Sequence, residues 1–140
     1  MKVVVIYESL TGNTRRAAEL IGAELVAAGE EAVVCPTTAV DYQALAAADL
    51  VVVGSWTDGV IIAGQRPGRV ARIKHLPVMD RKPCVVFCTY AVHPGKTLLK
   101  LGAVMEGLGA EVRGGMAIRR GDLEGGAREL VARVLAVVAS

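Results

Sequence analysis

No apolar run in this 140-residue chain is long enough to cross a bilayer, and the N-terminus goes straight into a short strand-like run, Val3 to Ile6. A cytoplasmic protein without membrane contact is therefore expected. Cysteine is scarce too. Cys35, Cys84 and Cys88 have neither the paired count of a secreted disulfide scaffold nor the close CxxC spacing of a zinc knuckle, so they read as reduced core thiols. With two histidines and scattered carboxylates, no Ser–His–Asp, Cys–His or metal-ligand spacing emerges, and neither a metal site nor a catalytic side chain is expected. The net charge of +2 is too small for a nucleic-acid binder, which needs a concentrated basic face. The basic residues are nonetheless uneven, with Arg66, Arg69, Arg72 and Lys74 in one segment and Arg119 beside Arg120 in another. Each cluster reads as solvated surface, a helix face and a charged turn, rather than as a docking patch.

What is present is a globular composition, 53% hydrophobic and 21% charged, at a length that suits one domain spanning residues 1–140. Val3 to Tyr7 is β-branched and of strand length. A helical period follows in Ala17, Leu20, Ile21, Leu25 and Ala28, and Gly29 supplies its stop. Ala32 to Cys35 reads as a second strand ended by Pro36, and Tyr42 to Ala47 as a short helix. Leu50 to Val53 is a continuous buried strand closed by Gly54 and Ser55, after which a long loop is expected. Pro67 suits the first turn of a helix carrying Val70 and Ile73. Cys84 to Thr89 forms a fourth strand, and Leu98, Leu101, Val104, Met105 and Leu108 mark the inner side of a helix. Glu111 to Ile118 is a weaker fifth strand interrupted by Gly114 and Gly115. Asp122 can cap a last helix whose apolar face is Leu130, Val131, Val134, Leu135 and Val138.

Five strands alternating with five helices imply an α/β fold with a doubly wound, mostly parallel sheet, because parallel neighbours need helical crossovers. Ligands of such sheets sit beyond the carboxyl ends of the strands. The loops after Tyr7, Val53 and Thr89 are thereby singled out. The first reads Ser9-Leu10-Thr11-Gly12-Asn13-Thr14, three hydroxyl side chains around a glycine at a helix start. Free N–H groups of a first helical turn attract an anion, and short polar side chains add donors without crowding it. The loop has no lysine and fits neither GxxxxGK[ST] nor GxGxxG, so a phosphate monoester suits it better than a triphosphate or a pyrophosphate. An ordinary turn in which Ser and Thr only cap the helix is the alternative.

Here the sequence resembles flavodoxins, whose phosphate loop reads T-x-T-G-N-T or S-x-T-G-N-T after the first strand. The resemblance covers the order and lengths of elements along nearly the whole chain, and it is to the short-chain form. It implies a flavodoxin-like five-stranded parallel sheet in the order 2-1-3-4-5, flanked by helices, with FMN as cofactor. By that resemblance Ser9, Thr11, Gly12, Asn13 and Thr14 would bind the FMN phosphate, and Leu10 would offer its backbone N–H. Ser55, Trp56, Thr57, Asp58 and Gly59 would lie against the flavin ring, and Thr89, Tyr90 and Ala91 would meet its pyrimidine edge. Trp56, the only tryptophan, could stack on the ring or simply cover the sheet end. In the family a peptide beside a glycine such as Gly59 turns over on flavin reduction. The short-chain pattern often has an aromatic residue two positions after Tyr90, where this sequence has Val92.

The function implied is shuttling of one or two electrons between redox partner proteins by a monomer or weak dimer. The slightly basic balance predicts a less negative second reduction potential than in acidic flavodoxins. Two other readings stay open: a small FMN-dependent NAD(P)H oxidoreductase of the quinone-reductase kind, in which Arg66, Arg119, Arg120 or His93 would position an anionic substrate, and a binding module without redox activity.

Overall fold

In the computed structural model, which describes residues 1–59 and 64–139 and their side chains up to 137, alternate residues of each central strand feed two separate cores. Strands β1 (Lys2–Tyr7), β3 (Leu50–Asp58) and β5 (Pro83–Tyr90) are buried on both faces, which explains their continuous apolar runs. On one face Val3, Val5, Leu50, Val52, Val85 and Phe87 pack against helices α1 (Asn13–Ala27) and α5 (Leu123–Ala139). On the other, Val4, Ile6, Val51, Val53, Cys84 and Val86 meet α2 (Tyr42–Ala47), α3 (Val70–Lys74) and α4 (Thr97–Gly107). Each such valine or leucine, fully buried, contributes about 1.5–3 kcal/mol of transfer free energy.

With β2 (Glu31–Pro36) and β6 (Glu111–Arg119), the parallel strands lie in the order β2-β1-β3-β5-β6, the doubly wound arrangement expected. Four features depart from the sequence reading. The third strand does not stop at Val53 but runs through Ser55, Trp56 and Thr57 to Asp58. Gly54 is there for space rather than for a turn, because a Cβ at this position would overlap the ring of Phe87 on the neighbouring strand. Pro67 does not open a helix. It belongs to a two-residue strand, β4 (Arg66–Pro67), paired antiparallel to Thr57 and Asp58, and α3 starts only after Arg69 takes a left-handed φ of 47°. Gly114 and Gly115 do not interrupt β6; the ladder shifts register there, with Val112 opposite Cys84 and Gly114 opposite Val85, leaving Arg113 as the extra residue of a bulge. The Asp122 cap is present, its Oδ1 accepting the Gly125 N–H at 3.0 Å. The side chain of Val138 lies outside the described residues.

The three cysteines are free and buried. Burial pushes the Cys84 thiol up to about 12 and the Cys88 thiol up to about 11, since a thiolate away from water is disfavoured. For Cys88 the nearby Thr57 hydroxyl offsets part of the rise. In the unfolded chain these groups ionise near 9, so their contribution to stability is complete below that pH and is lost as the pH rises through the folded values. The urea midpoint should accordingly be lower at pH 10 than at pH 8, and a thiol reagent at pH 8 should label the native protein slowly and the unfolded protein at once. Rapid labelling of all three thiols in the native state would refute this burial.

Candidate functional site

The carboxyl ends of β1, β3, β5 and β6 converge on a cavity of about 150 Å³. Leu10, Thr11, Asn13 and Thr14 line it from the first loop and the start of α1. The helix begins without a side-chain cap: Gly12 occupies the cap position at φ 99°, where only glycine sits without strain. Its first-turn N–H groups thus have no capping side chain, the electrostatic condition for an external anion. Ser9 lies outside the lining and shapes the loop, its Oγ accepting the Gly12 N–H at 3.2 Å. The Asn13 Nδ2 donates to Thr11 Oγ1 at 3.3 Å. Thr14 is almost fully buried and its hydroxyl pairs with that of Thr89 at 2.8 Å, tying the loop to the end of β5.

From β3, Trp56 and Thr57 line the cavity. The indole is held by its own chain, with the Arg69 guanidinium 5.6 Å from its ring centroid and Gly68 packed so closely that a Cβ there would overlap it. The side chain is thus packed by its own chain and is at the same time part of the cavity wall. The Thr57 Oγ1 is buried with no partner meeting full hydrogen-bond geometry, although it sits close enough to the Cys88 thiol to lower its pKa. Ser55 faces elsewhere: its hydroxyl is buried and donates to the Gly68 carbonyl at 2.7 Å. Asp58 and Gly59 also lie outside the lining. Asp58 pairs with Arg66 at 3.5 Å and accepts the Gly59 N–H at 3.0 Å, and Gly59 has φ 94°. Both the left-handed φ and the approach of the Gly64 carbonyl, 2.5 Å from where a Cβ would stand, require glycine there.

Thr89 and Tyr90 at the end of β5 and Ala91 just after it complete the wall, and Arg120 adds the only charged side chain of the lining among the described residues. Arg120 was grouped in the sequence with a charged turn. Only the 3-10 turn Arg120–Asp122 at the end of β6 brings it beside a loop more than a hundred residues earlier. A second charge stands behind the loop. Glu8 is 3% exposed, held by Arg72 Nη1 at 2.8 Å and by the Thr37 hydroxyl at 3.1 Å. Among the described residues no three His, Cys, Asp or Glu side chains gather as a metal site, and no helix is long and apolar enough to span a membrane.

Fold and site together define a doubly wound α/β protein with an uncapped helix start at the carboxyl edge of its sheet. Residues 4–101 match the family model of the flavodoxin domain, and the chain belongs to that family. Solved flavodoxins share the fold at low identity. A cysteine-to-serine mutant of Pseudomonas aeruginosa flavodoxin superposes with a TM-score of 0.76 at 20% identity, covering 100% of both chains. Oxidised flavodoxin 2 from Bacillus cereus gives 0.69 at 21%, over 95% of this chain and 99% of that one. Two-electron reduced Megasphaera elsdenii flavodoxin gives 0.68 at 20%, over 91% and 98%. No curated protein sequence matches the chain.

Proposed function

We propose that the chain binds FMN in this cavity and carries one or two electrons between redox proteins of the cytoplasm. The observation behind this reading is the uncapped start of α1 opening onto a cavity walled by hydroxyl groups and by Trp56 and Tyr90. The donors fit a phosphate monoester: first-turn N–H groups of α1, Thr11 and Asn13 in the loop, and Arg120 at the rim. Trp56 and Tyr90 offer aromatic surface for a flat ring, and Thr57 keeps a buried hydroxyl available for a polar ring atom. FMN, when bound, supplies the redox chemistry. The cavity encloses less volume than a drug-sized ligand requires, so part of the ligand would stay open to solvent and to an incoming protein. Positive charge at Arg120 would stabilise a negative charge gained by the ring, in keeping with a less negative potential than acidic flavodoxins have.

Absorbance spectra of the purified protein before and after addition of FMN test the reading, with binding constants for FMN and riboflavin measured side by side. Thr11→Ala is the appropriate variant, because Thr11 is exposed whereas Thr14 also holds Thr89. FMN should weaken about tenfold and riboflavin should be unaffected, as expected for one lost hydrogen bond to a charged group. Equal losses for both ligands would remove the phosphate role, and no binding of either would remove the function.

A further inference from the structure

The two arginine clusters that look like separate patches of solvated surface in the sequence are brought by the fold to the same end of the sheet. Residues 8–16, 55–59, 64–74, 89–100 and 119–124, at that end, carry ten Lys and Arg against four Asp and Glu; the rest of the chain carries six against ten. The small net charge therefore conceals a polarised molecule. The acidic residues of the basic end are already engaged. Glu8 is buried against Arg72, Asp58 faces Arg66, Asp122 caps α5, and Glu124 lies 3.9 Å from Arg16. Lys96, Arg119 and Arg120 are exposed and have no ion pair among the described residues.

We propose that this end is the docking face for an acidic protein, a partner of opposite polarity to the chain's own basic rim. The rim is braced rather than loose: Lys100 donates to the Gln65 carbonyl at 2.8 Å, and Gln65 donates to the His93 carbonyl at 2.5 Å. Between the charges stand three exposed apolar side chains among the described residues, Leu10 at 59%, Val92 at 82% and Leu99 at 73% exposure. They give a partner a small dry contact beside the cavity mouth, with charges around it to steer the approach. Val92, where a further aromatic residue is often found in short-chain flavodoxins, suits such a contact. Nucleic acid is the poorer occupant, because the aromatic side chains described at the cavity mouth, Trp56 and Tyr90, line the proposed FMN cavity and are not left free to stack on bases. An anionic bilayer would need more inserted apolar surface than the three exposed apolar side chains described at this end provide.

The inference shares the cavity mouth with the proposed FMN site, but its test reads binding and not electron flow. The FMN-supplemented protein is titrated calorimetrically with a purified acidic [2Fe–2S] ferredoxin and, separately, with basic cytochrome c, at about 10 and about 200 mM salt. Ferredoxin should bind at the lower salt and weaken at least about tenfold at the higher as the screening length shortens, with amide shifts confined to residues 8–16, 89–100 and 119–124. Lys96→Glu combined with Arg119→Glu, both exposed and outside the cavity lining, should abolish ferredoxin binding and leave the FMN dissociation constant within about twofold. The proposal is overturned by preference for cytochrome c, by ferredoxin binding that ignores salt or the double variant, by no ferredoxin binding, or by tighter binding to phosphatidylserine vesicles. Ferredoxin binding by a chain that takes up no FMN would remove the proposed function and leave the docking face standing.

Discussion

Gly54→Val should destabilise the chain by about 3 kcal/mol or more, at the upper end of what overpacking a core costs. Gly54 lies opposite Phe87 across the β3–β5 ladder, and the only phenylalanine of the chain lays its ring across the space that a side chain at 54 would fill. Phe87 is fully buried in the core beneath α1 and α5, so it has no solvent-facing rotamer to retreat to. Against a total stability of about 5–15 kcal/mol such a loss is large. Urea unfolding measures it, with Gly114→Ala as the control: a Cβ on that strand glycine would meet nothing within 4 Å, and the change should cost little or nothing. A Gly54→Val protein within about 1 kcal/mol of wild type would mean that Phe87 repacks freely, contrary to the packing described.

Arg72→Ala should cost about 2 kcal/mol, below the roughly 3–5 kcal/mol of a fully buried broken pair, because the Arg72 side chain is itself 47% exposed and water can partly replace it. The loss arises from what is left behind. Glu8 stays buried with the Thr37 hydroxyl as its remaining side-chain donor, an uncompensated carboxylate behind the loop that follows β1. Glu8→Gln in the same background should recover most of the stability, since a neutral amide is less costly to hold there. Unfolding curves of the four proteins give a coupling energy, expected to exceed about 1 kcal/mol. A value near zero would show that solvent substitutes for the guanidinium.

The layered architecture was legible because the strands buried on both faces announce themselves as unbroken β-branched runs, and because Gly29 and Gly109 end their helices where the apolar period stops. The stretch after Val53 was not. Gly54, Ser55, Asp58 and Gly59 are turn-forming residue types, yet the first two are spent on tertiary demands: room for Phe87, and a hydroxyl for the Gly68 carbonyl. A two-residue strand such as Arg66–Pro67 has no periodicity to read, and its proline mimicked a helix start. The same contrast holds at the site. The Ser9 to Thr14 loop could be picked out because its groups are consecutive, whereas Arg120 and the pairing of Thr14 with Thr89 exist only once distant strands end side by side. The charged residues follow this pattern too: position along the chain separated what the sheet gathers.

The missing cap on α1 has a consequence for the life of the protein in a cell. A helix start with no capping side chain is a built-in weak point, and an anion seated there would act as the absent cap, adding stability that grows with the logarithm of ligand concentration over its dissociation constant. The unliganded chain would fray first at this turn and offer proteases an opening that the liganded chain lacks. Its abundance would then follow the supply of its ligand.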